Sequence, residues 1–96
     1  MKTVHKYGIG EVSNSVQMPK GARILHVGGQ GDEVCIWASV DTERLKELRH
    51  FRIYGTGQEF PDDFEEDDPY RAKYGDRYIG TAFCGRFVWH VFERLA

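Results

Sequence analysis

Four side chains in this sequence pair a flat ring or a guanidinium with short segments of alternating hydrophobicity: Arg23, Trp37, Arg52 and Tyr54. Each falls opposite a more uniformly apolar row of its own segment. If those segments are neighbours, the four groups converge on one surface. Rings stack on Trp or Tyr there, while Arg holds phosphate or another flat anion. The ligand expected from such a surface is small, anionic and nucleotide-like. The competing reading is an ordinary solvent face, with Trp37 half-buried in a second core.

Gly55-Thr56-Gly57 follows one of these segments and extends the ligand-binding set to Thr56 and Gln58. A phosphate-cradling P-loop needs G-x-x-x-x-G-K-[ST] opening a helix, and that pattern is missing. Two readings stay open. One is a tight turn at a strand end; the other is a nest of backbone N–H groups that holds an anion with help from Arg52 or Gln58.

Catalysis finds less support. The four histidines, His5, His26, His50 and His90, are dispersed, and none stands two or four residues from another His or Cys. A metal site would have to be assembled wholly by the fold, so no metal and no cofactor are expected. Cys84 with His90, or Cys35 with His50, can be nominated as nucleophile and base, but no local signature supports either pair. Acid–base work wants carboxyl groups in contrasting environments, whereas the acids here crowd one segment. No catalytic residue is assigned, and a non-enzymatic protein is expected.

That segment, residues 59–68, holds Glu59, Asp62, Asp63, Glu65, Glu66, Asp67 and Asp68 and no base. The whole chain carries a formal charge of −2, yet outside this run thirteen Lys and Arg face only eight Asp and Glu. The body is modestly cationic and carries an acidic flap. The excess is too spread out for a specific nucleic-acid footprint. Asp62, Asp63, Glu65 and Glu66, with Tyr70, Arg71 and Tyr74 just beyond, make a candidate partner-binding loop for a basic host protein. Its plain alternative is a solvated insertion.

The elements that must position these groups are mostly strands. The 96 residues make one domain, 1–96, with 41% hydrophobic and 14% aromatic content to build a single core. Val34 to Val40 is the clearest strand, its even positions forming an apolar face of period two. Lys2–Tyr7, Glu11–Met18, Ala22–Val27, His50–Tyr54 and Tyr78–Thr81 are further candidates, separated by Pro19-Lys20-Gly21, Gly28-Gly29-Gln30-Gly31 and Gly55-Thr56-Gly57. In Ala22–Val27 the alternation sets Leu25 and Val27 on one side and Ile24 on the other. Phe51 and Ile53 face inward. The last strand, Arg86–Glu93, is apolar on both faces and so is expected to be central and covered twice. It forms a hairpin about Cys84-Gly85. Asp41-Thr42 can cap a short helix, Glu43–Arg49, with Leu45 and Leu48 inward. Residues 58–77 form one long acidic connection. The fold class is mainly β: a small antiparallel sandwich or open barrel of five to seven strands with one short helix. Cys35 and Cys84 lie in apolar runs and are expected as buried free thiols. The N-terminus has no apolar leader and no run is long enough to cross a bilayer, so a cytoplasmic protein with no membrane partner is expected.

Several landmarks occur in a specific order: His5-Lys6-Tyr7, Met18-Pro19-Lys20-Gly21-Ala22, Ile24-Leu25, Cys35-Ile36-Trp37-Ala38, Val40-Asp41, Phe51-Arg52-Ile53-Tyr54-Gly55-Thr56-Gly57, Tyr78-Ile79-Gly80-Thr81 and Phe87-Val88-Trp89-His90-Val91-Phe92-Glu93. In these the chain resembles a family of small uncharacterised bacteriophage and prophage proteins. The resemblance implies a phage setting in a host cytoplasm and no mechanism. It also implies that the acidic stretch is an insertion, since relatives cross from Gly57 to Tyr78 by a shorter link. Together these readings give a phage accessory protein acting by binding against host defence. It would sequester a small anionic ligand or block a host protein, as a homo-oligomer. The alternative is a small oligomeric structural or assembly module of a phage.

Overall fold

In the computed structural model, residues 1–10, 12–66 and 75–95 are described. Seven strands follow in chain order: β1 (Lys2–Ile9), β2 (Ser13–Pro19), β3 (Arg23–Gln30), β4 (Glu33–Asp41), β5 (Lys46–Gly55), β6 (Gly75–Cys84) and β7 (Phe87–Leu95). They pair into two antiparallel sheets, β1-β4-β3 and β2-β5-β7-β6. The expected mainly β domain is present as an open sandwich. No helix occurs among the described residues, and so none long and apolar enough to cross a membrane.

The core lies between the sheets and follows the period-two rule. Val34, Ile36, Ala38 and Val40 of β4 are all buried, facing Phe51 and Ile53 of β5 and Val91 of β7. Ile9, Met18 and Val27 complete it from three further strands. Cys35 and Cys84 are buried and unpaired, as expected. The sheets meet most closely along β3 and β6, where two positions have no room for a side chain. A Cβ on Gly80 would stand 2.6 Å from Val27 Cβ, and one on Gly29 would strike the Phe83 carbonyl oxygen.

Two expectations need correction. The helix over Glu43–Arg49 is a turn followed by β5, in which Lys46–Arg49 pair with Val16–Pro19 of β2. Two helical turns are marginal without packing. Leu45 and Leu48, the residues expected to supply it, are 85% and 52% exposed. The second concerns β3. Its register shifts between Ile24 and His26, leaving Leu25 as an extra, exposed residue. The bulge turns Ile24 and Val27 both toward the core, so simple alternation fails at that point.

Arg49, once part of the strand, lies on the inner row beside the core. Its guanidinium donates to both carboxylate oxygens of Glu93 on β7, at 2.6 and 2.8 Å, and to the Ala22 carbonyl. A two-pronged pair of this kind satisfies two charges at an otherwise apolar layer.

Candidate functional site

Directly opposed residues of an antiparallel pair share a face, which settles where the four expected strand residues of the ligand-binding set point. Arg23 stands opposite Ser39, and Trp37 stands opposite Lys6 and His26, all on the outer face of the three-stranded sheet. Arg52 stands opposite Phe92 and Tyr54 opposite His90, on the outer face of the four-stranded sheet. The expected single surface of Arg23, Trp37, Arg52 and Tyr54 is therefore not formed. Two members lie on each side of the sandwich, because their strands belong to different sheets.

Arg52, Tyr54, Thr56 and Gln58 do come together. The chain leaves β5 through a turn in which Gln58 N–H donates to the Gly55 carbonyl (3.0 Å) and Gln58 Oε1 accepts from Gly55 N–H (2.9 Å). Gly57 sits at φ 86°, in the left-handed region that glycine adopts without strain. The segment that follows folds back over the sheet. Phe60 and Phe64, four residues apart, stack with centroids 3.8 Å apart and planes within 7°. Tyr54 and Phe92 meet both of them edge-on, at 4.9 to 5.8 Å. Tyr54 is thereby sealed to 2% exposure, and its hydroxyl finds no hydrogen-bond partner among the described residues.

An ionic network fixes the same segment. Arg52 donates from both terminal nitrogens to Asp63, at 3.1 and 2.7 Å, and Arg94 donates to the Asp63 carbonyl at 2.8 Å. Arg94 also reaches Asp76 Oδ2 at 3.1 Å, and that oxygen accepts the Glu65 N–H at 3.0 Å. Asp76 is wholly buried, and its second oxygen is unpartnered among the described residues. The Arg52 guanidinium holds the Asp63 carboxyl below the usual carboxylate range, with a smaller contribution from the Arg94 charge. The first half of the acidic run is thus a strap tied to the sheet through Phe60, Asp63 and Phe64, with its acidic side chains still facing solvent. Asp63 is engaged by Arg52 although it remains largely exposed, and Asp62, Glu65 and Glu66 are exposed as well. Tyr70, Arg71 and Tyr74, named with them as a partner-binding loop, lie outside the described residues.

Between this strap and the sheet is a cleft of about 230 Å³. Tyr54, Phe60, Tyr78 and Phe92 give it four rings, and Thr56, Gln58 and His90 give it polar groups. His90 is held from both sides: Thr56 Oγ1 lies 2.7 Å from Nε2 and Thr81 Oγ1 lies 3.2 Å from Nδ1, with the Tyr78 hydroxyl on Thr81 in turn. A second cleft of about 320 Å³ adjoins it, sharing Tyr54 and Gln58 and bounded by Arg52, Asp63 and Val12. Phe60, Tyr78, His90 and Phe92 were not among the expected site residues. The signal for Phe60 was two aromatics at a spacing of four inside an acid run, which a fully solvated loop does not need.

The nominated catalytic pairs are not assembled. Cys35 is on the three-stranded sheet and His50 on the other. Cys84 is buried with the core, while His90 alternates to the outer face. Burial and the Glu33 carboxylate push the Cys35 thiol up, away from the reactive thiolate. Among the described residues no three His, Cys, Asp or Glu side chains are grouped to hold a metal ion.

The chain matches a family profile along its whole length, residues 1–96. It belongs to the DUF7352 family, a domain of unknown function. No curated protein and no solved structure matches it. The geometry of this DUF7352 domain therefore carries the functional argument by itself.

Proposed function

We propose that the protein is a non-catalytic binding domain that takes a small flat-ring ligand in the cleft between the strap and the four-stranded sheet. The observation that carries this reading is the lining: four aromatic side chains beside a threonine–histidine pair, in one space of about 230 Å³. Small-molecule sites are typically apolar and ring-rich, with a few polar groups that fix orientation. This space is below the usual range of roughly 300–1,000 Å³, and suits a single ring system such as a nucleobase. Arg52 does not favour an anion here, because its charge is already answered by Asp63. A ring therefore enters this cleft more readily than a phosphate.

A counter-defence role in a phage setting rests on the sequence resemblance alone, and the same holds for an oligomeric assembly module. Blocking of a basic host protein draws support from the exposed Asp62, Glu65 and Glu66, while Asp63 is engaged within the chain.

The test is titration of the isotope-labelled protein with adenosine, guanosine and uridine. Amide shifts at Tyr54–Gln58, Tyr78 and His90 are expected, with the rest of the spectrum unmoved. Tyr78→Ala, which removes an exposed wall, should weaken binding about tenfold. No shifts at these positions with any of the three nucleosides would end the reading.

A further inference from the structure

We infer that the chain has a second binding site, for a small polyphosphate-type anion, at the turn end of the three-stranded sheet. It lies on the Arg23 side of the sandwich and is independent of the ring cleft.

The site is a cleft of about 270 Å³ whose lining includes Lys2, Lys20, Arg23, Arg44, Ser39 and Asp41. Four cations face one anion. The sequence scatters them over 43 positions, and the fold gathers them. Lys2 opens β1 opposite Asp41, and Arg23 opens β3 opposite Ser39. Lys20 and Arg44 come from the two turns on either side. Backbone hydrogen bonds tie those turns into one unit: Lys20 N–H to the Leu45 carbonyl at 2.7 Å, Arg44 N–H to the Asp41 carbonyl at 3.1 Å, and Thr42 N–H to the Met1 carbonyl at 2.8 Å. The charges are thus held on a braced frame rather than on free loops.

What separates this cluster from an ordinary surface is its incomplete internal neutralisation. Lys2, Lys20 and Arg23 make no ion pair among the described residues. Arg44 reaches Asp41 only at 4.0 Å, and the N-terminal ammonium draws on the same carboxylate at 3.6 Å. Four cations around one carboxylate repel one another, and an anion bound among them relieves that repulsion. Arg23 can offer two parallel donors to an oxyanion, and the lysines act as point charges.

The surroundings limit the ligand's size. Glu43 precedes Arg44 in the chain, and Glu47 accepts the N–H of the lining residue Gly21 at 3.4 Å, which puts its carboxylate at the cleft's edge. An extended polyanion running past the cleft meets these carboxylates, whereas a diphosphate group fits inside them. The assignment is therefore to a compact phosphate-bearing molecule and not to a nucleic-acid backbone.

Calorimetric titration with inorganic pyrophosphate at low ionic strength tests this directly. Binding is expected, weakening steeply as salt is added. Arg23→Gln and Lys20→Gln should each weaken it roughly ten- to a hundredfold, the loss of one charge-assisted contact. Asp41→Asn keeps an acceptor for the Glu43 N–H but removes the competing charge, and should tighten binding several-fold. Arg52→Gln, on the other face, should leave it unchanged. Retention of the wild-type melting temperature confirms that each variant is folded, and Lys20→Gln decides if Arg23→Gln is not. Absence of pyrophosphate binding to the wild type, indifference to both substitutions, or tighter binding of a short DNA duplex than of pyrophosphate would overturn the inference.

Discussion

Arg23 and Arg52 occupy matching places, each pointing out from the outer face of its sheet, yet their electrostatic situations are opposite. Arg52 is gripped by a carboxylate eleven residues further along the chain, and its charge serves to hold a strap in place. Arg23 shares a cleft with three other cations and Asp41 and makes no ion pair of its own among the described residues. The difference shows that an exposed arginine on a strand is not by itself an anion site. What decides is whether the chain supplies the anion. On the four-stranded face it does, and the product is an aromatic cleft; on the three-stranded face the positive charge remains uncommitted.

This contrast can be broken most forcefully at Asp76. Removing its buried carboxylate by Asp76→Ala strips a partner from Arg94 and from the Glu65 N–H. The expected loss is about 2–4 kcal/mol, read as a drop in melting temperature of roughly 10 °C or more. Arg52→Ala cuts the strap's outer anchor, a half-exposed pair, and should cost about 1 kcal/mol. Hydrogen exchange should then accelerate at Phe64 and Glu65 and not in β1 or β3.

Acid provides a finer probe of the same anchor. The Asp63 carboxyl is held below its ordinary value, so it binds a proton more readily in the unfolded chain. Its stabilising contribution is complete above the unfolded value of about 4. It fades as the pH falls below that, through the folded value. The strap's amide exchange should rise in that window, and Arg52→Ala should abolish most of the dependence. Finally, Arg23→Ala should change stability by less than about 0.5 kcal/mol in denaturant unfolding, since it breaks no ion pair or side-chain hydrogen bond among the described residues. A larger loss would mean that Arg23 has a structural partner, and the contrast would fail.

Much of the fold is legible from residue patterns. The even positions of β4 identify their strand, and the two-faced apolarity of β7 correctly places it inside a sheet. Its second cover is the strap, through Phe60 and Phe64. The short helix misleads because Leu45 and Leu48 have helical spacing, while their true status as exposed residues depends on strand pairing with β2. For the site, Tyr54, Thr56 and Gln58 are foreseeable from the strand-to-turn transition. The partition of Arg23 from Arg52 is not, because it depends on β1-β4-β3 and β2-β5-β7-β6 as strand orders. Local alternation carries no information about which sheet a strand joins. Nor can an acid run of seven tell that Asp63 will find Arg52; that pairing depends on the docking of Phe60 and Phe64 on either side of it.

The glycine seam between β3 and β6 has a mechanical meaning. With Gly80 set against the Val27 side chain and Gly29 against the Phe83 backbone, the two sheets are bound on that side like the pages of a book at its spine. Breathing of the sandwich is then expected at the opposite margin, along β1 and β2, away from the contact of β3 with β6. Thickening the spine with Gly80→Ala would pry the covers apart from the wrong side and loosen every layer at once.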